Sequence, residues 1–248
     1  MNKKNLKIGV IGTGIIGLPI AKNLIKNKYE VYAHARNIKK HANIIRNGIR
    51  ISNSLEELFA NVDILILAVS ETKDVKKILV GKKGLKNYLN RPSIVIDMST
   101  ICPIETIKMS KELSKVNIVL IDAPVSGGEV GAINGELSIM IGGEKSTVKK
   151  IMPIFKIIGN KITHIGKSGS GQVAKACNQI IVAQTINAIS EAFLIADRFD
   201  VSKNNIRDAL LGGFANSKIL EVHGSRMLKN SYNPGFKTKL HAKDLRIA

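Results

Sequence analysis

Near the start of the chain, Lys7-Ile8-Gly9-Val10-Ile11-Gly12-Thr13-Gly14-Ile15-Ile16-Gly17 sets three glycines at G-x-G-x-x-G spacing directly behind a short apolar run. Such spacing carries weight only where a strand precedes it and a helix follows, and both patterns are present here. Gly12 permits a tight turn, Gly14 lets the backbone approach a pyrophosphate, and Gly17 lets helix and strand pack closely. The N–H groups of Ile15 and Ile16 at the helix start then face the phosphate charge. A glycine-rich turn that binds nothing is the weaker reading. The motif commits the first part of the chain to an α/β domain built for a dinucleotide.

The residues that follow keep to that plan. Short β-type runs at Leu6–Ile11, Tyr29–His34, Asp63–Val69, Ile94–Asp97 and Ile118–Ile121 alternate with helical patterns. Ser54-Leu55-Glu56-Glu57 has capping-box spacing, and Pro103 sits where a first-turn proline opens a helix over Ile104–Leu113. Strands alternating with helices predict a Rossmann-type, doubly wound and mainly parallel sheet. Near Gly166 the character changes. From Gly171 to about Phe199 the chain reads as one long helix, apolar almost all round, which predicts burial between domains or between subunits. Helical patterns at Lys203–Leu211, Asn216–Leu228 and Leu240–Ala248 follow, with no strand signal. The expected division is a dinucleotide-binding domain over residues 1–165 and an all-helical domain over 166–248, joined by the long helix.

The end of the second strand bears on the choice of cofactor. An NAD site places Asp or Glu about 20 residues beyond the turn, to hold the ribose 2′-OH. Here Val31-Tyr32-Ala33-His34 leads into Ala35, Arg36 and Asn37, with Lys39 and Lys40 close behind and no acid. A forked guanidinium suits a phosphate dianion. Arg36 and Asn37 therefore favour NADP, with NAD as the alternative.

Charge invites a different function. Thirty-eight Lys and Arg against 19 Asp and Glu give a formal charge of +19, which raises the question of nucleic acid. The lysines are dispersed, and zinc-finger spacing and aromatic RNA-binding motifs are lacking, so a basic soluble surface is the preferred reading and no nucleic-acid partner is expected. Cys102 and Cys177 form no C-x-x-C pair and fit a reduced, cytoplasmic setting. Lys3, Lys4 and Lys7 before an apolar stretch resemble a secretory signal, but Gly9, Gly12, Gly14, Gly17 and Pro19 interrupt it and no cleavage site follows. No membrane association and no metal are expected.

Two further stretches carry chemistry. In Gly169-Ser170-Gly171-Gln172-Val173-Ala174-Lys175-Ala176-Cys177-Asn178, Lys175 and Asn178 are three apart and share a helix face. Burial and the positive helix start would both draw the lysine pKa toward an acid–base range. Alone, a lysine reaching to solvent would be the better reading. Asp122-Ala123-Pro124-Val125-Ser126-Gly127-Gly128 changes the balance, because it follows the fifth strand at the edge where open α/β sheets bind ligands. Ser126 and the Gly127 and Gly128 amides could hold a small carboxylate. Asp97-Met98-Ser99-Thr100 follows the fourth strand at the same edge.

With GVIGTGIIGLPIAKNL, DMST, DAPVSGG, GSGQVAKACNQIIVA and NPGFKTKLHAKDL in order, the chain resembles the β-hydroxyacid dehydrogenases over essentially its whole length. The resemblance implies Lys175 as general acid/base, Ser126, Gly127, Gly128 and Asn178 as substrate ligands, and Thr100 and Lys243 as cofactor contacts. Phe236 and Asp244 match positions near the closed site. Asn178-Gln179 and the residues after it are most similar to tartronate semialdehyde reductases. The Arg36 region is more similar to glyoxylate/succinic semialdehyde reductases. Related 6-phosphogluconate dehydrogenases carry histidines where this chain has Gln172 and Cys177, which argues against a sugar phosphate. Family members continue past the K-D-L motif, so the helical domain is expected to be truncated and residues 240–248 poorly fixed. The expected protein is a homo-oligomeric, NADPH-dependent reductase of a small carboxylate-bearing aldehyde or 2-oxo acid. The alternatives are a 3-hydroxyisobutyrate dehydrogenase and a shortened, non-catalytic polyanion-binding protein.

Overall fold

A computed structural model describes residues 6–34, 41–232 and 237–248. The chain divides into two compact units, Met1–Lys175 and Ala176–Arg246, with the boundary inside one long helix.

The first unit is the α/β domain. Its chain order is β1 (Lys7–Ile11), α1 (Gly17–Lys26), β2 (Glu30–His34), α2 (His41–Arg46), β3 (Arg50–Ile51), α3 (Leu55–Ala60), β4 (Ile64–Leu67), α4 (Thr72–Val80), β5 (Ile94–Asp97) and α5 (Pro103–Ser114). Then come β6 (Val119–Asp122), β7 (Val125–Ser126), α6 (Gly128–Asn134), β8 (Leu137–Gly142), α7 (Lys145–Ile158), β9 (Gly159–Gly166) and the start of α8 (Ser170–Arg198). The strands lie in the order β3-β2-β1-β4-β5-β6-β8-β7, and β9 pairs with β8. β1 to β6 run parallel, with Ile11 against Leu67 and Asp97 against Asp122 at the carboxyl ends. β8 is antiparallel to β6 and β7.

The strands are continuous apolar runs because the sheet is covered on both faces. Successive side chains point to opposite sides, so Ile64 and Ile66 join a core under α1 and α7, while Leu65 and Leu67 join one under α3, α4 and α5. Ser54 caps α3 by accepting the Glu57 N–H at 3.0 Å, as the S-x-x-E spacing predicts, and the Glu57 carboxylate accepts the N–H of Asn53, one residue before the cap. Pro103 opens α5.

Four strands were not expected from the sequence. β3 and β7 have two residues each, below the length at which a pattern is readable. β8 and β9 flank α7, and β9 is largely exposed along its length, so it lacks the apolar alternation that marks a strand.

The second unit is helical: the remainder of α8, then α9 (Lys203–Leu211), a π-helical turn at Leu220–Gly224, α10 (Ser225–Leu228) and α11 (Thr238–Ile247). Ser202 caps α9. The helix predicted over Asn216–Leu228 widens at Leu220–Gly224, where the Arg207 guanidinium donates to the Glu221 carbonyl at 3.1 Å, one route by which a side chain loosens a helical ladder. Ile189 and Phe193 of α8 form a small core with Leu220.

The sequence led us to expect the apolar surface of α8 to be buried between domains or between subunits, and within a single chain much of that surface stays open. Gln172, Lys175, Gln179, Ile189, Phe193 and Ala196 are covered, while Val173 is 51% and Ile181 65% exposed, and Leu194 and Ile195 are exposed as well. By length and composition α8 could also cross a membrane, with a mean hydropathy of 1.4 in its most apolar window. Gln172, Lys175, Asn178 and Gln179 fall in its first third, and Gln184, Asn187, Glu191 and Asp197 follow further along.

Candidate active site

At the end of β1, Gly12 has φ +100°, and a Cβ there would lie 2.2 Å from the Ala68 carbonyl oxygen. A Cβ at Gly17 would lie 2.0 Å from the Gly12 oxygen. Both glycines are therefore fixed by packing. Gly14 differs, because a Cβ there would meet nothing within 4 Å. Ile16 is the N-cap of α1 and offers no side-chain cap, and the Leu18 N–H closes the first turn onto the Gly14 carbonyl at 3.1 Å. Ile15 and Ile16 thus sit at the positive end of the helix beside open space, which fits a diphosphate. A groove of about 580 Å³ runs past Thr13, Gly14 and Ile15 and carries Lys22, Lys26 and Glu129. A second groove of about 560 Å³, near Ser110 and Lys167, holds none of the predicted site residues. Arg36, Asn37 and Phe236 lie outside the described residues.

The loop after β5 is held from several sides. The Met98 N–H donates to the Leu67 carbonyl at 2.8 Å, and the Val69 N–H donates to Ser99 Oγ at 3.0 Å. Asp97, fully buried, accepts the Ser99 N–H at 3.0 Å. Thr100 is half-buried at the tip.

After β6, Ser126 pairs with Ser138 across β7 and β8. Gly127 and Gly128 follow with φ of +131° and +62°, and a Cβ on Gly128 would meet nothing within 4 Å. Two successive residues at positive φ require glycine. They turn the chain into α6 and leave the Gly128 side of the turn open.

Asp122 was not singled out by the sequence reading, yet it organises the start of α8. Its side chain is fully buried, and its two carboxylate oxygens accept the Gly169 N–H at 2.7 Å and the Gln172 N–H at 3.1 Å. Burial pushes its pKa up, and the hydrogen bonds from the Gly169 and Gln172 amides oppose that shift. An anion at a helix N-terminus also faces the positive end of the dipole. Gln172 is equally buried. Its Nε2 donates to the Ser99 carbonyl at 2.8 Å and its Oε1 accepts the Ile101 N–H at 3.0 Å. Lys175, one turn further on, is only 7% exposed. The signals for these partners were an acid ending an apolar strand and an amide on an apolar helix.

In the second unit, Asn178 Nδ2 donates to Gln179 Oε1 at 2.8 Å, and Gln179 Nε2 donates to Asp244 Oδ2 at 2.7 Å. Asp244 is buried and pairs through Oδ1 with Lys243 at 2.8 Å. His241 Nε2 lies 3.1 Å from the Gln179 carbonyl oxygen. Residues 240–247 lie within α11, which these bonds join to α8.

An open glycine at the diphosphate turn, a buried amine on the helix leaving the sheet, and a glycine pair facing open space meet the needs of a dinucleotide-dependent oxidoreductase, and that is the class this fold defines. Residues 7–166 match the NAD binding domain of 6-phosphogluconate dehydrogenase, and residues 169–248 match the NAD-binding domain of NADP-dependent 3-hydroxyisobutyrate dehydrogenase. The 2-hydroxy-3-oxopropionate reductase of Escherichia coli is 41% identical over 98% of this chain and 83% of its own length. A probable 3-hydroxyisobutyrate dehydrogenase-like protein of Arabidopsis thaliana is 36% identical over 98% of this chain and 73% of its own. The Mycobacterium tuberculosis 3-hydroxyisobutyrate dehydrogenase solved with L-serine superimposes with a TM-score of 0.89 at 28% identity, covering 98% and 85% of the two chains. The chain belongs to the β-hydroxyacid dehydrogenase family, NAD(P)-dependent oxidoreductases of hydroxy acids.

Proposed function

We propose that the protein reduces a short carboxylate-bearing aldehyde with NADPH, and that 2-hydroxy-3-oxopropionate (tartronate semialdehyde) is its best substrate. The observation that carries this reading is the buried amine of Lys175, set one turn beyond an amide that grips the Thr100 loop. A lysine taken out of water at the edge of such a sheet is a candidate for acid–base work. The 41% identity to a 2-hydroxy-3-oxopropionate reductase supports the substrate.

When bound, the reduced nicotinamide supplies a hydride to the carbonyl carbon. Gly12, Gly14 and Gly17 shape the turn, and the Ile15 and Ile16 amides hold the diphosphate. Arg36 and Asn37 take the 2′-phosphate, and Thr100 contacts the cofactor. Ser126 and the Gly127 and Gly128 amides hold the substrate carboxylate, where fixed donors cost no reorganisation. Lys175 Nζ hydrogen-bonds the carbonyl oxygen, gives it a proton as the alkoxide forms, and regains one from solvent. Asn178, on the same helix face, is the second ligand of that oxygen. Lys243 is assigned a cofactor contact through its family motif alone.

The test is steady-state reduction of tartronate semialdehyde, succinic semialdehyde and glyoxylate with NADPH and NADH, with 3-hydroxyisobutyrate tried in the oxidative direction. Tartronate semialdehyde with NADPH should give the highest kcat/KM. K175A should lose about 10²-fold in kcat, the usual contribution of a positioned acid, while binding NADPH as wild type does. A preference for NADH, or normal turnover by K175A, overturns the reading.

A further inference from the structure

Gln172 makes an unusual set of bonds for one side chain. Both ends of its amide are used on the same strip of backbone, Nε2 on the Ser99 carbonyl at 2.8 Å and Oε1 on the Ile101 N–H at 3.0 Å. Those two groups flank Thr100. The same residue's backbone N–H is held by the Asp122 carboxylate at 3.1 Å. Three residues on, along the same face of α8, stands Lys175. One residue therefore joins the tip of the β5 loop, the end of β6 and the helix that carries the amine.

All of these groups are out of water: Gln172 is 1% exposed, Asp122 fully buried and Ser99 3% exposed. A buried amide with both ends bonded cannot rotate or slide without leaving a polar group unpaired, which costs more than the bond itself is worth in water. The loop is fixed from its other side by Ser99 Oγ on Val69 and by Asp97 on the Ser99 N–H. Toward α8, Gln172 holds it by both ends of its amide, beside the close packing of Gly169 on Pro103 and Ile107.

We propose that Gln172 is a positioning residue, which locks the Thr100 loop to the Lys175 turn of α8 so that the proton donor and the reactive end of the cofactor are held at one fixed separation. The inference rests on the roles assigned above to Lys175 and Thr100. It gives a physical reason for a glutamine at this place: only a side chain with one donor and one acceptor, at this reach, satisfies both a carbonyl and an N–H of the same loop.

The test is a double-mutant cycle between Gln172 and Lys175, with binding and stability measured alongside. Q172M keeps the length and removes both bonds, and Q172E keeps the acceptor for Ile101 while losing the donor to Ser99. Small displacements of reacting groups cost up to about 10²-fold in rate, so Q172M should lose about 30-fold in kcat and Q172E less. The aldehyde KM and the NADPH Kd, from fluorescence titration, should stay within about threefold, since the diphosphate turn is untouched. In a K175A background the same substitution should cost less than about threefold more, because groups acting as a unit are not additive.

A Q172M protein that melts cooperatively, binds NADPH and keeps its kcat overturns the proposal. So does an equal fold-loss in the wild-type and K175A backgrounds, which is the signature of general loosening. If Q172M does not fold, Q172E carries the same cycle and is judged by the same two criteria. Normal turnover by K175A removes the underlying role of Lys175 and this proposal with it. A dead K175A beside an unimpaired Q172M removes only the positioning role.

Discussion

Replacing each glycine of the first turn by alanine separates folding from cofactor binding. At Gly14 the backbone has no positive φ, and an added Cβ meets nothing within 4 Å. Alanine there removes conformational freedom from the unfolded chain, which stabilises by about 0.4–1 kcal/mol. For a protein of this size that corresponds to a rise of about 1–4 °C in Tm. The same methyl group occupies the space into which the diphosphate must come to reach the Ile15 and Ile16 amides. Losing one hydrogen bond to a charged group costs about 1.5–3 kcal/mol, or roughly 10- to 150-fold in Kd. G14A should therefore melt at or slightly above the wild-type temperature and bind NADPH at least tenfold more weakly. G12A is the control. Its φ of +100° and the 2.2 Å approach to the Ala68 oxygen leave no place for a methyl, so it should lose about 3 kcal/mol or more of stability. Thermal melts and NADPH fluorescence titrations on the two variants measure both quantities. If G14A binds NADPH as tightly as wild type, the open space at Gly14 is not where the diphosphate lies, and the reading of the turn is wrong.

Asp122 makes a pH prediction. Its folded pKa is raised by burial, so the native state holds its proton more tightly than the unfolded chain. Its contribution is fully present below the unfolded value of 3.8 and is lost as pH rises through the folded value. D122N does not titrate, so urea unfolding from pH 3 upward should show the advantage of wild type over D122N narrowing as pH rises. An advantage that grows with pH contradicts the assignment. D244A removes the buried partner of both Lys243 and Gln179 and should cost about 2–4 kcal/mol. Circular-dichroism melts check this, and an unchanged Tm would mean that the Asp244 network does not hold α11.

The parts of this protein legible in its sequence are those governed by local rules. The order G-x-G-x-x-G behind an apolar run, the Ser54–Glu57 cap and Pro103 at the start of α5 each act within a few residues, and each stands where the sequence placed it. The central strands were readable because burial on both faces leaves them uniformly apolar. β9 was not, because an edge strand owes its place to pairing with β8 and needs no apolar pattern of its own. α8 was readable as a helix, but composition fixes how much apolar surface a helix has and not which neighbour covers it.

The candidate site divides in the same way. The glycine turn is recognisable from its spacing between strand and helix, and Lys175, Ser126, Gly127 and Gly128 were picked out by the family motifs in which they stand. Asp122, Gln172 and the Asn178–Gln179–Asp244 network are not, because an ordinary aspartate or glutamine takes on a role only when folding brings a distant partner within about 3 Å of it. Asp122 meets Gly169 and Gln172 from 47 and 50 residues away, and Gln172 meets Ser99 across 73. Local sequence determined the central strands and the glycine turn, and its motifs picked out the candidate side chains. The tertiary structure decided which buried polar groups hold them in place, because a hydrogen bond between distant residues depends on the sheet order and the path of α8, and neither is written in any one segment.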